Sequence, residues 1–176
     1  MKKILIAYSS KTGNTEKVAK ALYEAKPEAC ELKKADEVES LDAYDVIFVG
    51  YWVDKGGPDA KAKALLSTIK GKKVVLFQTL GAEAYSDHGR TSFANAAKYL
   101  DPECMVLGTL STQGAIDPQL IAAMSKMPAG SPHAPTEASR KRWAAASTHP
   151  DAADLQNARE YMEKFMVTYE NFYSKM

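Results

Sequence analysis

The sequence predicts a doubly wound α/β fold, a parallel β-sheet carrying helices on both faces. Three observations predict it. Five short apolar runs alternate with segments of helical periodicity. Four of those runs are continuously apolar rather than alternating, as strands covered on both faces must be. Parallel neighbours also need crossover connections, and the helical segments between the runs provide them. A chain of 176 residues, 45% of them hydrophobic, is long enough for one core, so residues 1–176 are expected to form a single domain.

The first run is "KKILIAYSS" (residues 2–10), and a weaker one, "ACELKKA", covers residues 29–35. "YDVIFVGYW" (44–52), "KKVVLFQTLG" (72–81) and "CMVLGTLST" (104–112) complete the set. Helical spacing places Val18, Ala21, Leu22 and Ala25 on one face of residues 15–25. It does the same for Ala62, Leu65, Leu66 and Ile69 in residues 59–69. Shorter helices are expected at 91–100 and 118–126. A long final helix starts near Pro150, a residue suited to a first turn, and carries Leu155, Ala158, Met162, Phe165, Tyr169 and Phe172 at helical spacing. Between them, residues 127–149 include "MPAGSPHAPTEASRKRW" and are expected to form an irregular excursion.

A formal net charge of +1 fits neither a polyanion-coating protein nor a strongly acidic carrier, and no nucleic-acid partner is expected. Charge is nevertheless uneven. Residues 36–59 hold seven acids against Lys55, a local balance of −6, whereas residues 126–149 sum to +3. Cys30 and Cys104 are far apart in apolar surroundings, so both read as reduced packing residues, with no metal-ligand spacing. No run approaches the roughly 20 apolar residues of a membrane span, and the four apolar residues Ile4 to Ala7 are too few for a signal-peptide core. A cytoplasmic protein without a membrane partner is expected.

In a doubly wound sheet, ligands bind beyond the carboxyl ends of the strands, so the loops after the first, third and fourth strands matter most. After the first strand comes "SSKTGNTEKVAKAL" (9–22). A turn that ends in a helix start presents unpaired backbone N–H groups and the positive end of the helix dipole. Ser9, Ser10, Thr12 and Thr15 add hydroxyl donors, and Gly13 permits close approach. The chemistry is that of a phosphate cradle. It has neither the Gly-Lys-Ser/Thr of a nucleotide triphosphate loop nor the three spaced glycines of a dinucleotide loop.

Ser10-Lys11-Thr12-Gly13-Asn14-Thr15 resembles the flavodoxin signature, a hydroxyl residue, any residue, Thr or Ser, Gly, any residue, Thr, at the same place after strand one. The resemblance implies a flavodoxin-like five-stranded sheet of order 2-1-3-4-5. It also implies flavin mononucleotide (FMN) as cofactor, with Ser9, Ser10, Lys11, Thr12, Gly13, Asn14 and Thr15 around its phosphate. It further implies that the loop after the third strand, Tyr51, Trp52, Val53, Asp54, Lys55, Gly56 and Gly57, packs on the isoalloxazine ring. There Trp52 or Tyr51 is the stacking candidate, and Gly56 or Gly57 offers the carbonyl that turns toward flavin N5. Thr79, Leu80, Gly81 and Ala82 would hold the pyrimidine edge through backbone groups, and Tyr85 is a possible second stacking partner. Gln113 and Gly114 are further neighbours of the ring. His88 is assigned no role.

The function expected on this basis is electron transfer between bound FMN and a redox partner protein, either a reductase or an acceptor enzyme. The cofactor carries the chemistry, so no catalytic residue is expected. Two alternatives stand beside it. One is an FMN-dependent NAD(P)H oxidoreductase acting directly on a quinone or pigment-like substrate; the other is a non-redox module that binds a phosphate ligand or a protein.

Overall fold

The computed structural model of the protein describes residues 4–132 and 134–175. Five parallel strands form the sheet: β1 (Ile4–Tyr8), β2 (Cys30–Lys34), β3 (Val46–Asp54), β5 (Lys73–Leu80) and β6 (Met105–Gln113), in the order β2-β1-β3-β5-β6. A two-residue strand, β4 (Gly57–Pro58), folds back antiparallel on the end of β3. With that addition counted, the order is the one expected from the sequence. The helices are α1 (Asn14–Ala25), α2 (Ala60–Leu66), α3 (Asp87–Ala97), α4 (Pro118–Ser125), α5 (Glu137–Ala146) and α6 (Ala152–Asn171).

Two cores lie on opposite faces of the sheet, and alternation along each strand divides residues between them. Ile4, Ile6 and Phe48 meet α1 and α6 through Val18, Leu22, Met162 and Phe165. Leu5, Ala7, Ile47 and Val49 meet α2 through Ala62, Leu65 and Leu66. Every residue of β1 is buried, which is why the run shows no polar alternation. Gly50 leaves room for the Phe77 ring, since a Cβ there would sit 2.0 Å from its Cζ.

Several elements differ from the expectation. Residues 137–146, expected to be irregular, form α5, because Thr136 and Ser139 make a reciprocal capping box at its start. α3 begins at Asp87 rather than near Thr91, since the Ser86 hydroxyl caps it by accepting from the Gly89 N–H. α6 starts at Ala152, two residues beyond Pro150, behind its own Asp151–Asp154 capping box. Phe172, placed on the core stripe by periodicity, is 67% exposed because the helix has ended at Asn171.

The packing of α6 gives a stability test. Met162 is fully buried and Val167 is 60% exposed on the same helix. Met162→Ala should cost about 2–5 kcal/mol, and Val167→Ala no more than about 0.5 kcal/mol, measured by urea unfolding.

Candidate cofactor-binding site

α1 differs from the other helices at its N-terminus. α2, α3, α4, α5 and α6 are each capped by a side chain, from Asp59, Ser86, Asp117, Thr136 and Asp151. The N-cap of α1 is Gly13, with φ 95° and no side-chain cap. Its first-turn N–H groups are therefore left for an anion, where the helix dipole also favours negative charge. Neither Asn14 nor Thr15 caps α1. The Ser10 hydroxyl accepts from the Gly13 N–H at 3.1 Å and so shapes the loop from within.

Around this helix start lies a cleft of ≈ 590 Å³ of empty space, including the part open to solvent. Ser10, Lys11, Thr12, Asn14 and Thr15 form one side. Trp52 and Val53, from the end of β3, and Thr79, Leu80 and Gly81, from the end of β5, form the next. The loop after β6 and the start of α4 close the cleft, with Gly114, Ala115, Ile116, Asp117 and Leu120.

Three contacts tie these walls together. Thr15 and Thr79 share a buried hydroxyl hydrogen bond of 2.7 Å, joining α1 to β5. Asn14 Nδ2 donates to the Ala115 carbonyl at 2.8 Å. Lys11 Nζ pairs with Asp117 at 2.9 Å, and lies 5.5 Å from the centroid of the Trp52 ring. That ammonium, followed by the Gln119 N–H, holds the Asp117 carboxyl below the usual carboxylate range.

A family model described as a flavodoxin domain matches residues 5–163. The chain belongs to the flavodoxin-domain family. It is 31% identical over 172 residues to the flavodoxin-like domain-containing protein BilS of Clostridioides difficile, covering 94% of this chain and 97% of that one. Among solved structures, a Streptococcus pneumoniae flavodoxin superposes with a TM-score of 0.57 at 11% identity, covering 94% of this chain and 98% of that one. A Lactobacillus acidophilus flavoprotein, solved in complex with FMN, gives 0.51 at 21% identity, covering 72% of this chain and all of that one. These last two likenesses are likenesses of fold.

FMN is the cofactor of this flavodoxin domain, and the residues present fit it. The uncapped α1 suits a phosphate, and Trp52 offers a ring face at the cleft wall. The structure places several other expected residues away from the cleft. Tyr51 cannot stack on a flavin: it is fully buried on the opposite face of β3, with its hydroxyl donating to Gln78 Oε1 at 3.0 Å, and burial pushes its pKa up. Trp52, its neighbour in the strand, faces the cleft instead. Gly56 and Gly57 lie away from the cleft. Lys55 and Gly56, with φ 50° and 81°, make the two-residue turn of the β3–β4 hairpin, and the Gly56 carbonyl accepts from Asn95 Nδ2 at 2.8 Å. Asp54 borders a neighbouring cavity, and Ala82 is half-buried but does not line the cleft. Tyr85 is 72% exposed and also lies outside it.

Ala115, Ile116, Asp117 and Leu120 were not anticipated. The readable signal was "IDPQ" (116–119), where Asp and Pro mark a helix cap and first turn just past the last strand. Ile116 fills the space over Gly81, whose Cβ would lie 2.4 Å from the Ile116 Cγ1.

The Lys11–Asp117 pair gives a pH test with a definite sign. A depressed carboxyl pKa means the pair is intact at neutral pH and is lost as pH falls through the lowered value. In a Trp143→Phe background, Trp52 emission should be constant between about pH 5 and 8 and change only below about pH 4. Asp117→Asn should remove that acid transition.

Proposed function

We propose that this flavodoxin domain is an FMN-dependent electron carrier that exchanges electrons with a redox partner protein. FMN, when bound, accepts and releases electrons one or two at a time. The uncapped start of α1 is the observation that carries the reading. In this reading the first-turn N–H groups of α1 and the hydroxyls of Ser10 and Thr12 hold the phosphate. Thr15, whose hydroxyl is already bonded to Thr79, holds the loop in shape instead of reaching the ligand through its side chain. Trp52 takes the ring on its face, and its Lys11 contact is exchanged for that stacking. Backbone groups of Thr79, Leu80 and Gly81 take the polar edge of the ring.

In this reading the cofactor carries the redox chemistry, so no general acid or base is required of the protein. The partner is expected to be a protein because Leu120, 51% exposed, extends the cleft rim outward as an apolar surface on α4. Among the described residues, no helix is long and apolar enough to cross a membrane.

Stepwise anaerobic reduction of the FMN-loaded protein tests the reading. A long-wavelength band that rises and then falls during reduction, with no steady oxidation of NAD(P)H, is the expected result. Sustained NAD(P)H turnover would favour direct reduction of a small substrate, and failure to retain FMN would favour a non-redox module. Thr12→Ala should weaken FMN binding about tenfold while leaving riboflavin binding nearly unchanged. Equal losses for the two ligands, measured by flavin fluorescence, would remove Thr12 from the phosphate site.

A further inference from the structure

The segment between β6 and α6 buries almost nothing of itself. Among its described residues from 116 to 148, only Ala146 is buried. α4 shows this most plainly: it reads "PQLIAAMS", and none of its residues is buried. Ile121 and Met124 are half-buried, Leu120 is exposed, and so is Met127 just past the helix. A helix this short is marginal by itself in water, and in folded proteins the burial of an apolar face ordinarily holds it. α4 has the apolar side chains without a core to take them, as a surface covered by another molecule would.

Position and charge say what kind of molecule covers it. Leu120 and the Lys11–Asp117 pair place the start of α4 on the cofactor cleft. The Ala115 N–H donates to the His149 carbonyl at 2.8 Å, and the His149 N–H to the Ala146 carbonyl at 3.0 Å. The last turn of α5 therefore returns to the point from which α4 leaves. The segment holds two acids, and both are paired: Asp117 with Lys11 and Glu137 with Lys141. Lys126, at the C-cap of α4, and Arg140 and Arg142, on α5, are exposed and have no carboxylate partner among the described residues. Apolar side chains beside uncompensated positive charge are matched by a surface that is apolar with acids at its rim. A second copy of this chain does not supply one, because a twofold contact sets the same patch against itself and brings the cations together. A nucleic acid would answer the charge but leave Leu120, Ile121 and Met124 uncovered.

We propose that α4 and α5 form the docking surface for the redox partner, a protein whose own surface is apolar at the centre and acidic at its edge. This inference rests on the electron-carrier reading and gives the partner its chemistry.

The test uses one redox protein in two charge states: native cytochrome c, which is basic, and cytochrome c with its lysines succinylated, which is acidic. Each is titrated into the isotope-labelled whole protein without flavin, and the backbone amide resonances report where it binds. The acidic form should shift amides of residues 117–127 and 137–147, and the native form should shift them severalfold less. Reversing two exposed charges together, Arg140→Glu with Arg142→Glu, should weaken binding of the acidic form by about tenfold at low salt and flatten its salt dependence. Ala123→Glu, at an exposed position of α4, should weaken it as well, whereas Val167→Glu, exposed on α6, should leave it unchanged. Shifts confined to other residues, or undiminished binding by the charge-reversed variant, would overturn the inference. Dimerisation through these helices, or tighter binding to phosphatidylserine vesicles or duplex DNA than to the acidic cytochrome, would overturn it in favour of a second copy, a membrane or a nucleic acid. Electron transfer separates this inference from the reading beneath it. If the reduced, FMN-loaded protein passes one electron to the haem iron of both forms at equal rates, the carrier reading stands and the docking surface fails. If the protein retains no flavin, the carrier reading fails and takes the redox partner with it.

Discussion

The parallel pairing of β1 with β3 is the constraint on which the site depends. Their register sets Tyr8 opposite Gly50, and the Ser9 N–H continues the ladder by donating to the Gly50 carbonyl at 2.9 Å. That last rung fixes where the chain leaves the sheet. The loop from Ser10 to Gly13 then starts beside the strand that carries Trp52, and α1 starts with its N–H groups turned toward the same space. β2 and β3 lie on opposite sides of β1, so the connections diverge there and leave a crevice at the carboxyl edge. Shifting the register by one residue would reverse the faces of Tyr51 and Trp52 and put the indole into the core.

Much of this was legible in the residues. Continuous apolar runs identified four of the five parallel strands, whereas the edge strand β2 is fully buried only at Cys30 and its run is correspondingly weaker. The hydroxyl-rich loop drew attention to the start of α1, because its chemistry is local. The choice between Tyr51 and Trp52 was not legible from composition, since both are aromatic and adjacent. It required knowing that β3 runs to Asp54, which sends alternate side chains to opposite faces. The β3–β4 hairpin was hidden for a related reason. "DKGG" (54–57) reads equally well as an open loop, and only the positive φ of Lys55 and Gly56 closes it. The fourth wall, from Gly114 to Leu120, depends on contacts with residues about a hundred positions earlier, such as Asn14 with Ala115. Sequence order gives no indication of these.

The electrostatics follow the same division between local and distant effects. The acidic stretch from Asp36 to Asp59 is in part neutralised in place: Lys61 pairs with Asp36 and lowers its carboxyl pKa. Asp59 is buried at the start of α2. The positive stretch is carried on α5, where Arg140, Lys141 and Arg142 are exposed and Lys141 pairs with Glu137. A surface pair of that kind contributes little to stability, about 0.3–0.5 kcal/mol. The Ala115 N–H donates to the His149 carbonyl at 2.8 Å, fastening the end of this segment to the cleft wall.

The central claim is that the uncapped start of α1 is the main anchor for the cofactor. Calorimetric titration of the flavin-free protein with FMN and with riboflavin, under identical conditions, tests it most directly, because the two ligands differ only in the phosphate. The account predicts that FMN binds about a hundredfold or more tightly than riboflavin, corresponding to about 2.7 kcal/mol or more from the phosphate alone. Equal affinities would contradict it.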